Sequence, residues 1–243
     1  MPHWCLHPAC LESLESFDSP AAVAAHMREA HDCGGDDADG ATSSSKRLCL
    51  ILDIDGTLLS DDCEDVFDIT PAALRPGIHA FLDVAFSRCR AVGIWTAASD
   101  AWARRFVDVV GPRPWAFVWS GNRVSRRRLC AGDPGFYSVA AKTKPLKKVW
   151  RNRALRAAGY DRHTSLIIDD TPDVCAQNFG NAAYVRSYTG ASSADDDDWL
   201  RALASYLCDL DGILRCGGTL RSIEKRGWYQ RAAARRDRGR RDI

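Results

Sequence analysis

The sequence lacks an apolar run long enough to span a membrane, which takes about 20 consecutive residues. Its N-terminus also lacks the basic and then apolar layout of a secretory signal. We therefore expect an intracellular protein with no membrane contact. In that compartment its ten cysteines are expected to be reduced thiols or metal ligands rather than disulfides.

The chain also lacks an overall excess of charge, because its formal net charge is only +1. This value hides a segregation along the chain. Acidic residues concentrate at 32–39 and 195–198, whereas basic residues dominate from 225 to 241. We expect the basic end to be either a nuclear-import signal or a contact for a polyanion. The first interpretation favours the nucleus over the cytoplasm. The alternative is a solvated chain end with neither role.

The composition is that of a globular protein, with 46% hydrophobic and 27% charged residues. Its 243 residues give room for one ordinary domain and small appendages. Residues 1–32 form a Cys/His unit, and residues 33–46 have the Gly, Ser and Asp content of a flexible linker. We expect the main domain at 47–215 and a basic tail at 216–243.

Within 47–215, apolar runs of strand length alternate with amphipathic helical patterns. The predicted strands lie at 48–54, 91–95, 115–119 and 165–168, and the predicted helices at 78–86, 100–110, 145–158 and 200–214. Strands that alternate with helices predict an α/β domain with a mainly parallel sheet.

Three of the predicted strands end in residues of related chemistry. Asp53 and Asp55 follow the first strand, Thr96 follows the second, and Asp169 and Asp170 follow a later one. Ligands of an open parallel sheet bind beyond the carboxyl ends of its strands, so these side chains are expected to converge. One carboxylate of an Asp-x-Asp pair can attack phosphorus while the other handles the leaving-group proton. A divalent ion on oxygen ligands and a lysine are suitable companions for phosphoryl transfer.

These motifs give the sequence a specific likeness to a known family. Residues 47–190 resemble the catalytic domain of the RNA polymerase II C-terminal-domain phosphatases, which are NLI-interacting-factor-like members of the haloacid dehalogenase superfamily. The resemblance implies a Rossmann-like domain with a small insert. The matching segments are Asp53-Ile54-Asp55-Gly56-Thr57, Arg75-Pro76-Gly77, Trp95-Thr96-Ala97, Lys144-Pro145-Leu146 and Asp169-Asp170-Thr171-Pro172.

The resemblance also implies a role for each matched residue. Asp53 would carry the phosphoryl group, and Asp55 would protonate the departing serine or threonine oxygen and then activate water. Thr96 and Lys144 would bind the phosphoryl oxygens. Lys142 is a rival for the lysine role, but it does not precede the Pro-Leu pair. The implied Mg²⁺ ligands are Asp53, the Asp55 carbonyl and Asp170, with Asp169 close by.

Segment lengths bear on the substrate. The span from Asp53 to Thr96 leaves no room for a cap domain, and 115–142 is long enough only for a hairpin or small insert. An open site favours a bulky substrate such as a phosphorylated protein. The basic run of the insert is either a contact for phosphopeptide or nucleic acid, or only a solubilising surface. Its candidate substrate-binding residues are Arg126, Arg127 and Arg128.

The N-terminal unit resembles a two-cysteine, two-histidine zinc finger. The expected Zn²⁺ ligands are Cys5, Cys10, His26 and His31. So short a segment cannot bury enough surface to fold alone, and a bound structural metal would supply the missing stability. The gap between Cys10 and His26 is longer than in common fingers, so an unstructured tail is the alternative. We expect such a finger to bind protein or RNA rather than duplex DNA.

Three functions therefore stay open at this point. The first is a Mg²⁺-dependent phosphatase that acts on phosphoserine or phosphothreonine in proteins, among which the C-terminal domain of RNA polymerase II is a candidate. The second is a nucleic-acid 3′-end phosphatase with the same chemistry. The third is a non-catalytic adaptor for phosphopeptides, against which the intact set Asp53, Asp55, Thr96, Lys144 and Asp170 argues.

Overall fold

The computed structural model describes residues 3–4, 16–17, 46–128, 140–178, 180–190 and 197–241. The expected zinc ligands and all of the linker predicted at 33–46 except its last residue lie outside these residues. From the first part of the chain only two short strands are described, β1 (His3–Trp4) and β2 (Ser16–Phe17), which pair antiparallel.

A five-stranded sheet forms the centre of the main domain. Its strands are β3 (Cys49–Leu52), β4 (Ala91–Trp95), β5 (Val118–Trp119), β8 (Ser165–Asp169) and β9 (Ala182–Tyr184). They lie in the order β5, β4, β3, β8, β9, and every neighbouring pair is parallel. The structure therefore confirms the predicted α/β class and the parallel sheet.

The insert between the sheet strands is a hairpin. Strands β6 (Ser125–Arg128) and β7 (Ala140–Thr143) pair antiparallel with each other and lie outside the central sheet. This confirms the small insert that was expected between 115 and 142.

The apolar strands are buried on both faces, which separates the core into two layers. Leu50 and Leu52 of β3 face the larger layer, and Cys49 and Ile51 face the smaller one. The larger layer is covered by α1 (Ile78–Arg88), α2 (Asp100–Val110) and α5 (Trp199–Arg215). The smaller layer is covered by α3 (Lys147–Arg151) and α4 (Arg153–Ala157).

The helix predicted over 145–158 is in fact these two short helices. Asn152 separates them, because its backbone is extended (φ −74°, ψ 121°) and its side chain accepts a hydrogen bond from the Leu155 amide. An asparagine that caps a new helix in this way competes with continuation of the old one. The apolar periodicity predicted the helical content and missed the break.

The segment predicted as a basic tail contributes to the core. It contains the helix α6 (Trp228–Arg241), and Leu220, Trp228 and Ala232 are buried in the larger layer. The Trp228 indole N–H also donates to the Tyr184 carbonyl of the edge strand β9 at 2.9 Å. The folded unit thus continues past the boundary at 215 that composition had indicated. In the described ranges, no helix has the length and apolar character that a membrane span requires.

Candidate active site

Asp53 and Asp55 lie on the loop that leaves β3. The strand ends at Leu52, and the Asp53 amide still donates to the Ile168 carbonyl of β8 at 3.0 Å. Two neighbouring parallel strands therefore hold the start of the loop at the carboxyl edge of the sheet. Asp53 is buried, and Asp55 is partly buried.

Gly56 lets this loop turn back beside the acidic residues. Its φ is +65°, in the region that favours glycine. A Cβ atom at this position would lie 2.3 Å from Asp170 Oδ2 and 2.4 Å from Ser187 Oγ. Glycine is therefore required by conformation and by the close approach of the Asp170 carboxylate.

Lys144 is buried at the centre of the site. It follows β7, and its backbone is fixed by a bond from its amide to the Val174 carbonyl and by one from Asn178 Nδ2 to its own carbonyl, both 2.8 Å. Its ammonium donates to Asp53 Oδ1, and to Asp169 Oδ2 at 2.9 Å. Burial lowers the pKa of Lys144, but the charges of Asp53 and Asp169 raise it more, so the net pKa lies above the ordinary value. Lys144 is therefore a permanent cation.

Lys142, the rival for this role, lies elsewhere. It is exposed on β7, and its ammonium reaches the Ala97 carbonyl at 3.4 Å. Residues two apart on a strand point to the same face, but β7 ends at Thr143, and Lys144 beyond that end is buried. The structure places Lys144, and not Lys142, among the carboxylates.

Three carboxylates form a group that could hold a metal ion. One oxygen from each of Asp53, Asp169 and Asp170 lies within 4.8 Å of the others. Burial raises the pKa of Asp53 well above its ordinary value, although the Lys144 charge opposes this shift. One ammonium cannot balance three carboxylates, and hard oxygen ligands suit a divalent cation such as Mg²⁺. The residues present therefore fit a divalent ion.

The three carboxylates are not equally available as ligands. Asp169 accepts hydrogen bonds from Lys144, from the Thr171 amide at 2.9 Å and from the Cys175 thiol at 3.6 Å. Asp170 accepts only the Thr171 hydroxyl at 3.1 Å among the described residues, and its other oxygen faces Gly56. This difference assigns Asp169 to the support of Lys144 and leaves Asp170 freer to ligate.

Asp55 is held by two donors, one on each carboxylate oxygen. Thr96 Oγ1 donates to Oδ2 at 2.9 Å, and Trp102 Nε1 donates to Oδ1 at 2.6 Å. Thr96 itself accepts from the Ala98 amide at 2.9 Å, so its hydroxyl is aimed at the carboxylate. Burial raises the pKa of Asp55, and the two hydrogen bonds lower it in part. A carboxyl with a raised pKa is suited to donate a proton near neutral pH.

Sequence reasoning did not find Trp102. It lies on the first turn of α2, whose Ser99 cap accepts from the Trp102 amide at 3.2 Å. The apolar face of the helix gave no sign that this indole turns toward Asp55. A tryptophan six residues after a strand-end threonine was the only available signal.

A second missed interaction supports the loop after Asp55. Arg75 is buried and forms a bidentate ion pair with Asp197, with Nη2 to Oδ2 at 2.9 Å. Its Nη1 donates to the Thr57 carbonyl at 3.1 Å and the Gly56 carbonyl at 3.4 Å. Arg75 therefore connects the turn beside the site to the start of α5, a role that its place in the Arg75-Pro76-Gly77 motif did not indicate.

The proposed substrate-binding arginines are on β6, outside the cluster of carboxylates. Arg126 is exposed and pairs in register with Lys142 of β7. Arg127 and Arg128 belong to the same strand, and their side chains lie outside the described part of the structure.

Buried carboxylates and a buried lysine, presented at the carboxyl edge of a parallel sheet, form a site whose charges suit phosphoryl chemistry. The family model of the NLI interacting factor-like phosphatases matches residues 48–216. This match spans more than half of the chain, and the chain belongs to that family. The resemblance noted in the sequence is thereby confirmed.

Two solved structures illustrate the wider likeness. One is Fcp1, described as an essential RNA polymerase II CTD phosphatase, with 19% identity and a TM-score of 0.38 over 79% of this chain. The other is a substituted fission yeast Fcp1 bound to beryllium fluoride, with 18% identity, a TM-score of 0.38 and the same coverage. The match spans 62% of each of those chains. No curated protein matches the sequence.

Proposed function

We propose that this chain is a Mg²⁺-dependent phosphatase that hydrolyses phosphoserine or phosphothreonine in proteins through an aspartyl-phosphate on Asp53. The observation that carries the proposal is the contact of Lys144 with Asp53 and Asp169 beside Asp170, since these residues come from separate elements. A purely structural ion pair would not need a third carboxylate at the same edge. Membership of a phosphatase family supports the same chemistry.

In the first step, an Asp53 oxygen attacks phosphorus and forms a new P–O bond. The bond between phosphorus and the serine or threonine oxygen breaks, and Asp55 gives its proton to the departing oxygen. Negative charge then develops on Asp55, where the Thr96 and Trp102 donors stabilise it. Lys144 binds a phosphoryl oxygen and holds Asp53 in position.

In the second step, water attacks the phosphorus of the aspartyl-phosphate. Asp55, now ionised, takes a proton from this water, and the Asp53–phosphorus bond breaks to release inorganic phosphate. The proton that Asp55 lost in the first step is thereby restored. A bound Mg²⁺, held by Asp53, Asp170 and the Asp55 carbonyl, would supply further neutralisation of the phosphoryl oxygens.

The substrate assignment rests on the openness of the site. The described part of the insert is a two-stranded hairpin that lies outside the central sheet, and this hairpin is too small for a cap domain. An open site accommodates a phosphorylated side chain on a folded or extended protein. The C-terminal domain of RNA polymerase II is the candidate substrate that the sequence resemblance suggests. Dephosphorylation of this substrate would place the protein in the nucleus.

The direct test compares turnover of a phosphoserine peptide with that of a 3′-phosphorylated oligonucleotide. We expect faster turnover of the peptide, loss of that activity in Asp53→Asn and Asp170→Ala, and loss in excess chelator. Faster turnover of the oligonucleotide would assign the same chemistry to nucleic-acid ends. Retention of activity in Asp53→Asn would refute the aspartyl-phosphate route.

A further inference from the structure

The loop after β3 forms an acidic border on one side of the catalytic edge. It includes five exposed carboxylates, namely Asp61, Asp62, Glu64, Asp65 and Asp68, which we call the acidic rim. Apolar residues on either side of it, Leu59 and Ile69, are buried in the larger core layer. The acidic rim therefore belongs to the sheet face that α1 and α2 cover.

Hydrogen bonds place this rim beside the catalytic loop. The Asp61 amide donates to the Tyr188 carbonyl at 2.8 Å, and the Tyr188 amide donates to the Gly56 carbonyl at 2.8 Å. Past the other end of the rim, Arg105 of α2 donates to the Ile69 carbonyl at 3.1 Å. The acidic rim thus runs from the Gly56 turn to the helix that carries Trp102.

Within the described ranges, the charges of the acidic rim have no neutralising cation nearby. Asp65 and Asp68 accept hydrogen bonds from backbone N–H groups of the loop, so these two carboxylates stabilise the conformation of the loop. Among the described residues, the Asp62 and Glu64 carboxylates accept no such hydrogen bond. In the described ranges, no lysine or arginine lies within ion-pair distance of any rim carboxylate.

The other sheet face carries the opposite charge at the same edge. Its exposed cations, which we call the basic rim, are Arg123, Arg126, Lys142 and Lys148. Lys142 reaches the Ala97 carbonyl, directly after Thr96, and Lys148 donates to the Arg123 carbonyl at 2.7 Å. Val149, next to Lys148, is buried in the smaller core layer. None of these four cations forms an ion pair within the described parts of the chain.

The phosphoryl site lies between the two rims, at the carboxyl ends of β3 and β4. A substrate whose phosphate enters this site must extend its neighbouring residues over both borders. Like charges brought together at these borders are unfavourable, and opposite charges are favourable. Phe67, which is 85% exposed on the acidic rim, adds an apolar contact on that side.

We propose that the substrate is a phosphoserine or phosphothreonine peptide with opposite charges on its two flanks. Basic side chains on one flank contact the acidic rim, and acidic or phosphorylated side chains on the other contact the basic rim. This inference rests on the proposed function and names the substrate class within it. A nucleic-acid end is disfavoured, because a uniform polyanion would meet the acidic rim with a charge of the same sign.

The test uses four phosphoserine peptides of equal length and one 3′-phosphorylated oligonucleotide. Two peptides carry lysines on one flank and glutamates on the other, in the two possible orders, and two carry the same charge on both flanks. We expect one mixed peptide to exceed both uniform peptides in kcat/KM by about fivefold at low salt. This preference should shrink as salt rises, because surface charges are screened within about 10 Å at 0.1 M.

Charge reversal of the acidic rim gives a directional check. In the double variant Asp62→Lys with Glu64→Lys, the peptide with glutamates on both flanks should become the preferred substrate. Each peptide rate is divided by the rate with nitrophenyl phosphate in the same variant, which removes effects on the chemistry. Asp108→Lys, an exposed change further along α2, is the matched control and should keep the original order.

The outcomes separate this inference from the proposed function. Equal turnover of all four peptides, or an unchanged order in the double variant, would overturn the charge assignment and leave the protein phosphatase intact. Turnover of the oligonucleotide with no turnover of any peptide would overturn the proposed function as well.

Discussion

Removal of one indole N–H should reveal how Asp55 acts. In Trp102→Phe, the carboxylate loses the 2.6 Å hydrogen bond to Oδ1 and keeps the one from Thr96. A hydrogen bond to a charged group is worth about 1.5–3 kcal/mol, which corresponds to about tenfold to a hundredfold in rate if it acts fully in the transition state. Asp55 becomes negative as it protonates a serine oxygen, so the lost bond is one that strengthens in that transition state.

The assay follows kcat and KM for a phosphoserine peptide and for nitrophenyl phosphate. Serine leaves as a strongly basic alkoxide that needs the proton, whereas nitrophenolate leaves readily without one. We expect kcat for the peptide to fall at least about tenfold, with little change in KM and a much smaller loss for the aryl ester. Trp150→Phe removes a comparable indole bond, to Ser165 Oγ at 3.1 Å, and is the control that should keep both activities. Equal losses on the two substrates would refute this account of Trp102.

Two further predictions concern the metals. Gly56→Ala should abolish activity and weaken Mg²⁺ binding in titration calorimetry, because its Cβ would displace the Asp170 carboxylate. Gly77→Ala has a similarly positive φ of 78° in the left-handed region and open space around its Cβ, so it should show only a backbone strain of about 1–2 kcal/mol and keep activity. Native mass spectrometry should find one zinc in the full chain and none in a chain that begins at Lys46. A full chain without zinc would eliminate the finger.

The sequence predicted those features that depend on local pattern. The buried runs of β3, β4 and β8 are apolar on both faces, and their ends placed Asp53, Thr96 and Asp169 at one edge. The edge strand β9 was missed, because three residues, Ala182 to Tyr184, are too few for a periodic signal.

Other features depend on tertiary contacts that no local pattern encodes. The Arg75–Asp197 pair joins distant parts of the chain, and an acidic run offered no reason to choose Asp197. The basic composition after residue 216 masked the apolar contacts of Leu220 and Trp228. The aromatic pair Trp228-Tyr229 was the overlooked sign, since Trp228 stacks on Tyr206 with ring centroids 5.2 Å apart. In a charged segment, aromatic residues are a stronger sign of burial than the net charge is of exposure to solvent.

The central claim is that Asp53 carries the phosphoryl group and Asp55 serves as acid and then as base. Asp55→Asn tests both parts in one experiment with nitrophenyl phosphate. Formation of the intermediate from this ester needs little acid help, whereas its hydrolysis needs the base. The account predicts a burst of nitrophenolate equal to the enzyme concentration, and a mass gain of one phosphoryl group that maps to Asp53. No burst and no phosphorylated Asp53, in a variant that remains folded, would contradict it.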